Sequence, residues 1–206
     1  MQMAHVDGIL FDFGGVLASE GYRRGLRAIA RANALDPDAF EKTAEAQIFL
    51  SGYLTGHAHE AEYWRRLREQ TGISGGDAEL RGMILRHFTL RNWMIDLVRG
   101  LRGRVKLAIL SDQTDWLDEL EARFGFFRYF DHVFNSYHTG KSKLDPSAFD
   151  DALRVMGIPA PRALFVDDRI GNIERAASRG LQTLHYRGKK DFMEAFLPFR
   201  QELERP

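Results

Sequence analysis

At 206 residues the chain exceeds one typical domain and falls short of two, so a single domain carrying an insertion is the expected arrangement. Lys plus Arg and Asp plus Glu stand at 29 each, which argues against a global field for nucleic acid or an acidic membrane surface and leaves a small ligand in a local site. Cysteine is absent, excluding disulfides and thiolate chemistry, and no apolar run is long enough to span a bilayer. The N-terminus reads as the lead-in to a strand rather than as a secretory leader, so a cytoplasmic location is expected.

The first apolar run, 6–13, has the length of a buried strand. About ninety residues without a convincing strand follow, more than an ordinary crossover needs. Apolar residues at three- and four-residue spacing predict helices there over 22–32, 40–50, 60–70, 79–87 and 93–101, separated by breaks such as "LDPD" and "TGISGGD". Beyond them, strands predicted at 105–110, 132–135, 163–166 and 183–186 alternate with helices at 116–124, 147–156 and 173–179. That alternation predicts an α/β fold: a Rossmann-like parallel sheet core, 1–17 and 96–206, with an inserted helical cap over 18–95. In the tail, Phe192, Phe196 and Phe199 lie at helical spacing and are expected to cover the sheet. The aromatic run "FGFFRYF" at 124–130 is expected to be core beneath a strand, its basic interleaving being too sparse for base stacking.

Three strands end in polar residues: Asp12 after "GILF", Ser111-Asp112 after "KLAIL", and Asp167-Asp168 after "ALFV". The carboxyl ends of parallel strands share one edge, where open α/β sheets bind ligands. If these strands are neighbours, Asp12, Asp167 and Asp168 converge, and their mutual repulsion calls for a cation. Oxygen ligands, few in number, suit Mg²⁺, which keeps several waters and binds through carboxylates plus a substrate phosphate.

These segments resemble the motifs of the haloacid dehalogenase-like (HAD) hydrolase superfamily. "FDFGGV" is similar to its first motif, Ser111 in "LAILSDQT" to its second, Lys143 in "GKSKLDPSAF" to its third, and "FVDDRIGNIERA" with Asp167, Asp168 and Asn172 to its fourth. Leu144 stands where the third motif usually has Pro. The inserted helices sit where the superfamily's C1-type cap sits. The resemblance implies Asp12 as a nucleophile forming an aspartyl-phosphate, with Mg²⁺ held by Asp12, the Gly14 carbonyl and Asp168, and Asp167 behind it or in exchanged roles. It also implies Ser111 and Lys143 as catalytic groups, and a phosphate held by Gly14, Gly15, Ser111, Asp112 and Lys143, with Asn172 in support.

Position 14 departs from the pattern. Most phosphatases of the superfamily have a second Asp there, acting as general acid and base; here it is Gly14. Three readings follow: a phosphatase of small phosphorylated metabolites such as sugar or acyl phosphates, a dehalogenase, or a non-catalytic binder of phosphate or protein. The intact Asp167-Asp168 doublet favours the first. Glu20, Tyr22, Arg23 and Arg24 lie close enough in sequence to the nucleophile loop to reach a substrate, and equally suit a solvated helix turn. His57 and His59 are two apart, which disfavours a shared metal, and either is a candidate to replace the missing acid.

Overall fold

The structure, a computed structural model, describes residues 5–203. Five parallel strands form its sheet: β1 (Gly8–Phe11), β2 (Lys106–Ser111), β3 (His132–Asn135), β4 (Ala163–Asp167) and β5 (Gln182–His185), in the order β3-β2-β1-β4-β5. β1 is central, and Phe11 pairs with both Ile109 and Val166, so the next residues, Asp12 and Asp167, emerge side by side.

Residues alternate between the two faces of the sheet, and both faces are buried. Ile9, Phe11, Leu107, Ile109, Leu164 and Val166 belong to one apolar layer; Leu10, Ala108, Leu110 and Phe165 belong to the other. The first is covered by α5 (Asn92–Leu101), α6 (Trp116–Phe124) and α10 (Lys189–Leu203), the second by α8 (Ser147–Met156) and α9 (Ile170–Ser178). Burial on both sides is why these strands read as unbroken apolar runs. Phe126, from the aromatic run, stacks on Phe13 at 5.0 Å, and Phe192, Phe196 and Phe199 are buried along α10.

Between β1 and α5 lie α1 (Gly21–Ala32), α2 (Pro37–Leu50), α3 (Glu60–Thr71) and α4 (Asp77–Leu85). Asp36 caps α2 by accepting the Ala39 N–H at 2.8 Å, with Pro37 at the first helical position, which explains the "LDPD" break. α1 and α4 approach so closely that a Cβ on Gly25 would lie 2.4 Å from the Ile84 Cα. The chain enters and leaves this helical unit through adjacent segments: Ser19 N–H donates to Thr89 O at 2.9 Å and Arg91 N–H to Leu17 O at 2.8 Å. α5 starts directly after that return. Its Trp93 packs on Phe192 of α10, the ring centroids 5.8 Å apart.

A second joint ties the insertion to the sheet. A short 3-10 turn, Tyr53–Thr55, docks on α7 (Ser136–Thr139), a helix the sequence pattern does not predict. Ser136 Oγ donates to Leu54 O at 2.8 Å, and the Tyr53 hydroxyl donates to Asp115. The Tyr53 ring lies edge-on to Trp116 and Tyr137, and Gly56 is so close to the Tyr137 carbonyl that a Cβ would lie 2.3 Å from its oxygen.

Candidate active site

Asp12, at the end of β1, is buried and faces the residues that the neighbouring strand ends supply. Its Oδ1 accepts a hydrogen bond from Ser111 Oγ at 2.9 Å and another from Lys143 Nζ at 2.7 Å. Lys143, 2 % exposed, also donates to Asp167 Oδ2 at 2.7 Å. Its loop is fixed from below: the Lys143 backbone N–H donates to Asp112 Oδ1 at 2.8 Å. The Asp112 carboxylate therefore positions the lysine. Asn172, near the start of α9, donates to both Asp167 oxygens at 3.2 and 3.1 Å, and the Arg169 N–H donates to Asp167 Oδ1 at 2.7 Å.

The two glycines after Asp12 have different tasks. Gly15 N–H donates to Ala18 O at 3.0 Å and Ala18 N–H to Phe13 O at 2.8 Å, closing a tight loop around Gly14. Neither the N–H nor the carbonyl of Gly14 has a hydrogen-bond partner among the described residues, so both remain available to a ligand. Gly15, expected with Gly14 to hold the phosphate, has its own N–H engaged. That N–H is taken by the loop, and its carbonyl accepts from Arg91 Nη2 at 3.0 Å. Glycine is required at 15 because φ is +88° and because a Cβ would lie 2.2 Å from Asp168 Oδ2.

Negative charge dominates the floor of this site. Burial pushes the Asp12 carboxyl up to about 7, against the attraction of Lys143, and the charges of Asp167 and Asp168 push the same way. Burial raises Asp168 and Asp112 as well. Burial alone would lower Lys143, but Asp12, Asp167 and Asp112 outweigh it and hold the ammonium charged. Carboxylate oxygens of Asp12, Asp167 and Asp168 lie within 4.8 Å of one another. Asp168 Oδ1 is buried and has no hydrogen-bond partner among the described residues. An uncompensated, orphaned carboxylate oxygen in an all-oxygen cluster fits a hard divalent cation.

Above this floor opens a cavity of about 500 Å³ between sheet edge and inserted helices, within the range of small-molecule sites. Asp12, Gly14, Lys143 and Asp168 line its base, and Glu20, Tyr22, Arg23 and Glu45 its far side. Glu41 is pinned by Arg23 at 2.5 Å and Arg27 at 2.9 Å, while Glu45 faces Arg169 at 3.4 Å across the mouth.

A family model for haloacid dehalogenase-like hydrolases matches residues 6–180. The chain belongs to that family. It is 24% identical over 200 residues to a D-ribitol-5-phosphate phosphatase of Bacteroides thetaiotaomicron, covering 92% of this hydrolase and 96% of the relative. A HAD family enzyme of Bacteroides thetaiotaomicron, solved in complex with magnesium and inorganic phosphate, superposes with a TM-score of 0.75 at 22% identity, over 93% of this chain and 99% of that one. The L-2-haloacid dehalogenase of Xanthobacter autotrophicus shares the fold at a TM-score of 0.67 and 17% identity, over 93% and 82% of the two chains.

In this hydrolase, Asp12, Gly14, Ser111, Asp112, Lys143, Asp167, Asp168 and Asn172 thus gather at one sheet edge. Of the cap candidates, Glu20, Tyr22 and Arg23 line the cavity and Arg24 does not. His57 and His59 are exposed and do not line the cavity, and His57 Nδ1 is held by Thr55 Oγ1 at 2.8 Å. Gln113 and Arg169 also line the cavity and were not singled out in the sequence. The available signal was their position, each within two residues of a strand-end polar group.

Proposed function

We propose that this hydrolase is a Mg²⁺-dependent phosphatase of a small phosphorylated metabolite, a sugar or sugar-alcohol monoester, acting through an aspartyl-phosphate on Asp12. The observation that carries this reading is the pairing of a buried Asp12, held by Ser111 and Lys143, with an Asp168 oxygen that has no partner among the described residues. The likeness to a D-ribitol-5-phosphate phosphatase, and to an enzyme solved with magnesium and phosphate, supports it. Asp12, Asp168 and the Gly14 carbonyl would hold the cation, with Asp167 aligned behind by Lys143, Asn172 and the Arg169 N–H.

The roles follow from charge. Bound Mg²⁺ would supply charge neutralisation for the phosphoryl oxygens and hold Asp12 ionised. Lys143 places a fixed positive charge beside the attacking carboxylate, and Ser111 Oγ fixes its rotamer. Asp12 attacks phosphorus and the ester oxygen leaves; water then attacks the same phosphorus, freeing Asp12 and inorganic phosphate. Gly14 N–H, at the base of the cavity, is available to a phosphoryl oxygen.

Hydrolysis of 4-nitrophenyl phosphate tests the reading. Release with Mg²⁺ that is lost in EDTA, and lost in a folded Asp12→Asn variant, is expected. Equal release by wild type and Asp12→Asn, or none by either, overturns it.

A further inference from the structure

Gly14 lacks the carboxyl group, so the space that a side chain at that position would enter is informative. A Cβ built on Gly14 meets one neighbour, Gln113 Nε2, at 3.4 Å. The Gln113 carboxamide thus stands at the edge of the volume a longer side chain at 14 would occupy. It lines the cavity with Asp12, Gly14 and Lys143, and it has no hydrogen-bond partner among the described residues. Its backbone, by contrast, is fixed: Gln113 N–H donates to Ser136 Oγ at 3.1 Å, and its carbonyl accepts the Tyr137 N–H at 3.3 Å. Ser136 is in turn tied to Leu54 O of the inserted unit. A half-buried carboxamide with no partner among the described residues, on a backbone anchored at both ends, two residues after Ser111, is placed to act on a ligand.

We propose that Gln113 is a catalytic residue whose carboxamide N–H donates a hydrogen bond to the ester oxygen leaving phosphorus. The inference rests on the phosphatase reading and specifies its leaving-group chemistry. As the Asp12–phosphorus bond forms and the phosphorus–oxygen bond breaks, the electron pair goes to the leaving oxygen. Gln113 stabilises the charge that develops there, and the proton comes from water, because a carboxamide does not ionise in the working range. The second step is ordinary hydrolysis, its proton passing to solvent. The contribution of Gln113 therefore grows as the leaving alcohol becomes more basic, and it adds no titrating limb to the pH profile.

The test compares 4-nitrophenyl phosphate, a good leaving group, with glycerol phosphate, a poor one, in wild type, Gln113→Leu and Gln113→Glu. In Gln113→Leu, kcat on glycerol phosphate is expected to fall roughly 10- to 100-fold, the worth of a hydrogen bond to a charged group. On 4-nitrophenyl phosphate the change should stay within about threefold, because little charge needs stabilising. Gln113→Glu should introduce a limb on glycerol phosphate alone, kcat falling as pH rises and the glutamic acid ionises. Parallel losses on both substrates in Gln113→Leu, or no loss on either, overturn the inference, as does a Gln113→Glu profile without the limb. These outcomes are separate from failure of the phosphatase reading, which would show as absent Asp12-dependent release from 4-nitrophenyl phosphate in the wild type.

Discussion

Gly15→Ala isolates the geometry that holds Asp168. Two costs can be read from the structure. The backbone at 15 has φ of +88°, where a residue with a Cβ is disfavoured by roughly 1–2 kcal/mol. The added methyl would also lie 2.2 Å from Asp168 Oδ2 and 2.5 Å from its Cγ, more than an ångström inside ordinary contact, so the carboxylate must swing away. Loss of a partner that merely orients a metal ligand typically costs about 10- to 100-fold in affinity. Displacing a ligand should cost no less, so at least about a tenfold weaker Mg²⁺ affinity is expected. Gly14→Ala is the control, since its Cβ finds 3.4 Å to Gln113 and no positive φ. Titration calorimetry with MgCl₂ on folded protein reads the effect directly. Wild-type affinity in Gly15→Ala, or equal losses in both variants, would refute the placement of the cation against Asp168.

Metal-free protein carries a pH signature. Because the folded Asp12 carboxyl is raised from 3.8 to about 7, the native state holds an extra proton between those values, and this residue's contribution to stability is lost as pH rises through that window. In EDTA, Asp12→Asn should therefore raise Tm relative to wild type more at about pH 8 than at about pH 5, and Mg²⁺ should stabilise wild type more at the higher pH; no pH dependence in the difference argues against a buried ionising Asp12. Gly14→Asp, which the structure can admit, should raise the rate on glycerol phosphate by at least about tenfold through general acid help, and an unchanged rate in a folded variant counts against the missing-acid account. Tyr53→Phe removes the hydroxyl that meets Asp115 and should lower stability by about 1–2 kcal/mol in urea unfolding, with no change expected if the joint between insertion and sheet lies elsewhere.

The strand ends were legible because buried parallel strands are apolar to their last residue, so Asp12, Ser111 and Asp167 stand out as the polar stops. The inserted helices were legible from spacing, and "LDPD" from the chemistry of a cap followed by a first-turn proline. Contacts far apart in the chain left no comparable trace. α7 is one turn long, too short for periodicity, and its meeting with Tyr53–Thr55 is tertiary. Gly15 reads like Gly14 in the sequence; only the positive φ and the nearness of Asp168 separate them. Gln113 gave no sign of its position because an amide is ordinary in a loop, and its significance depends on what is missing at 14.

Turnover should pass through a covalent intermediate on Asp12. A single turnover of 4-nitrophenyl phosphate with Mg²⁺, quenched in acid and digested for mass spectrometry, would detect it. The expected result is phosphate on the peptide containing Asp12, absent in Asp12→Asn. Turnover with no phosphorylated peptide at any time, or phosphate on a different residue, would contradict it.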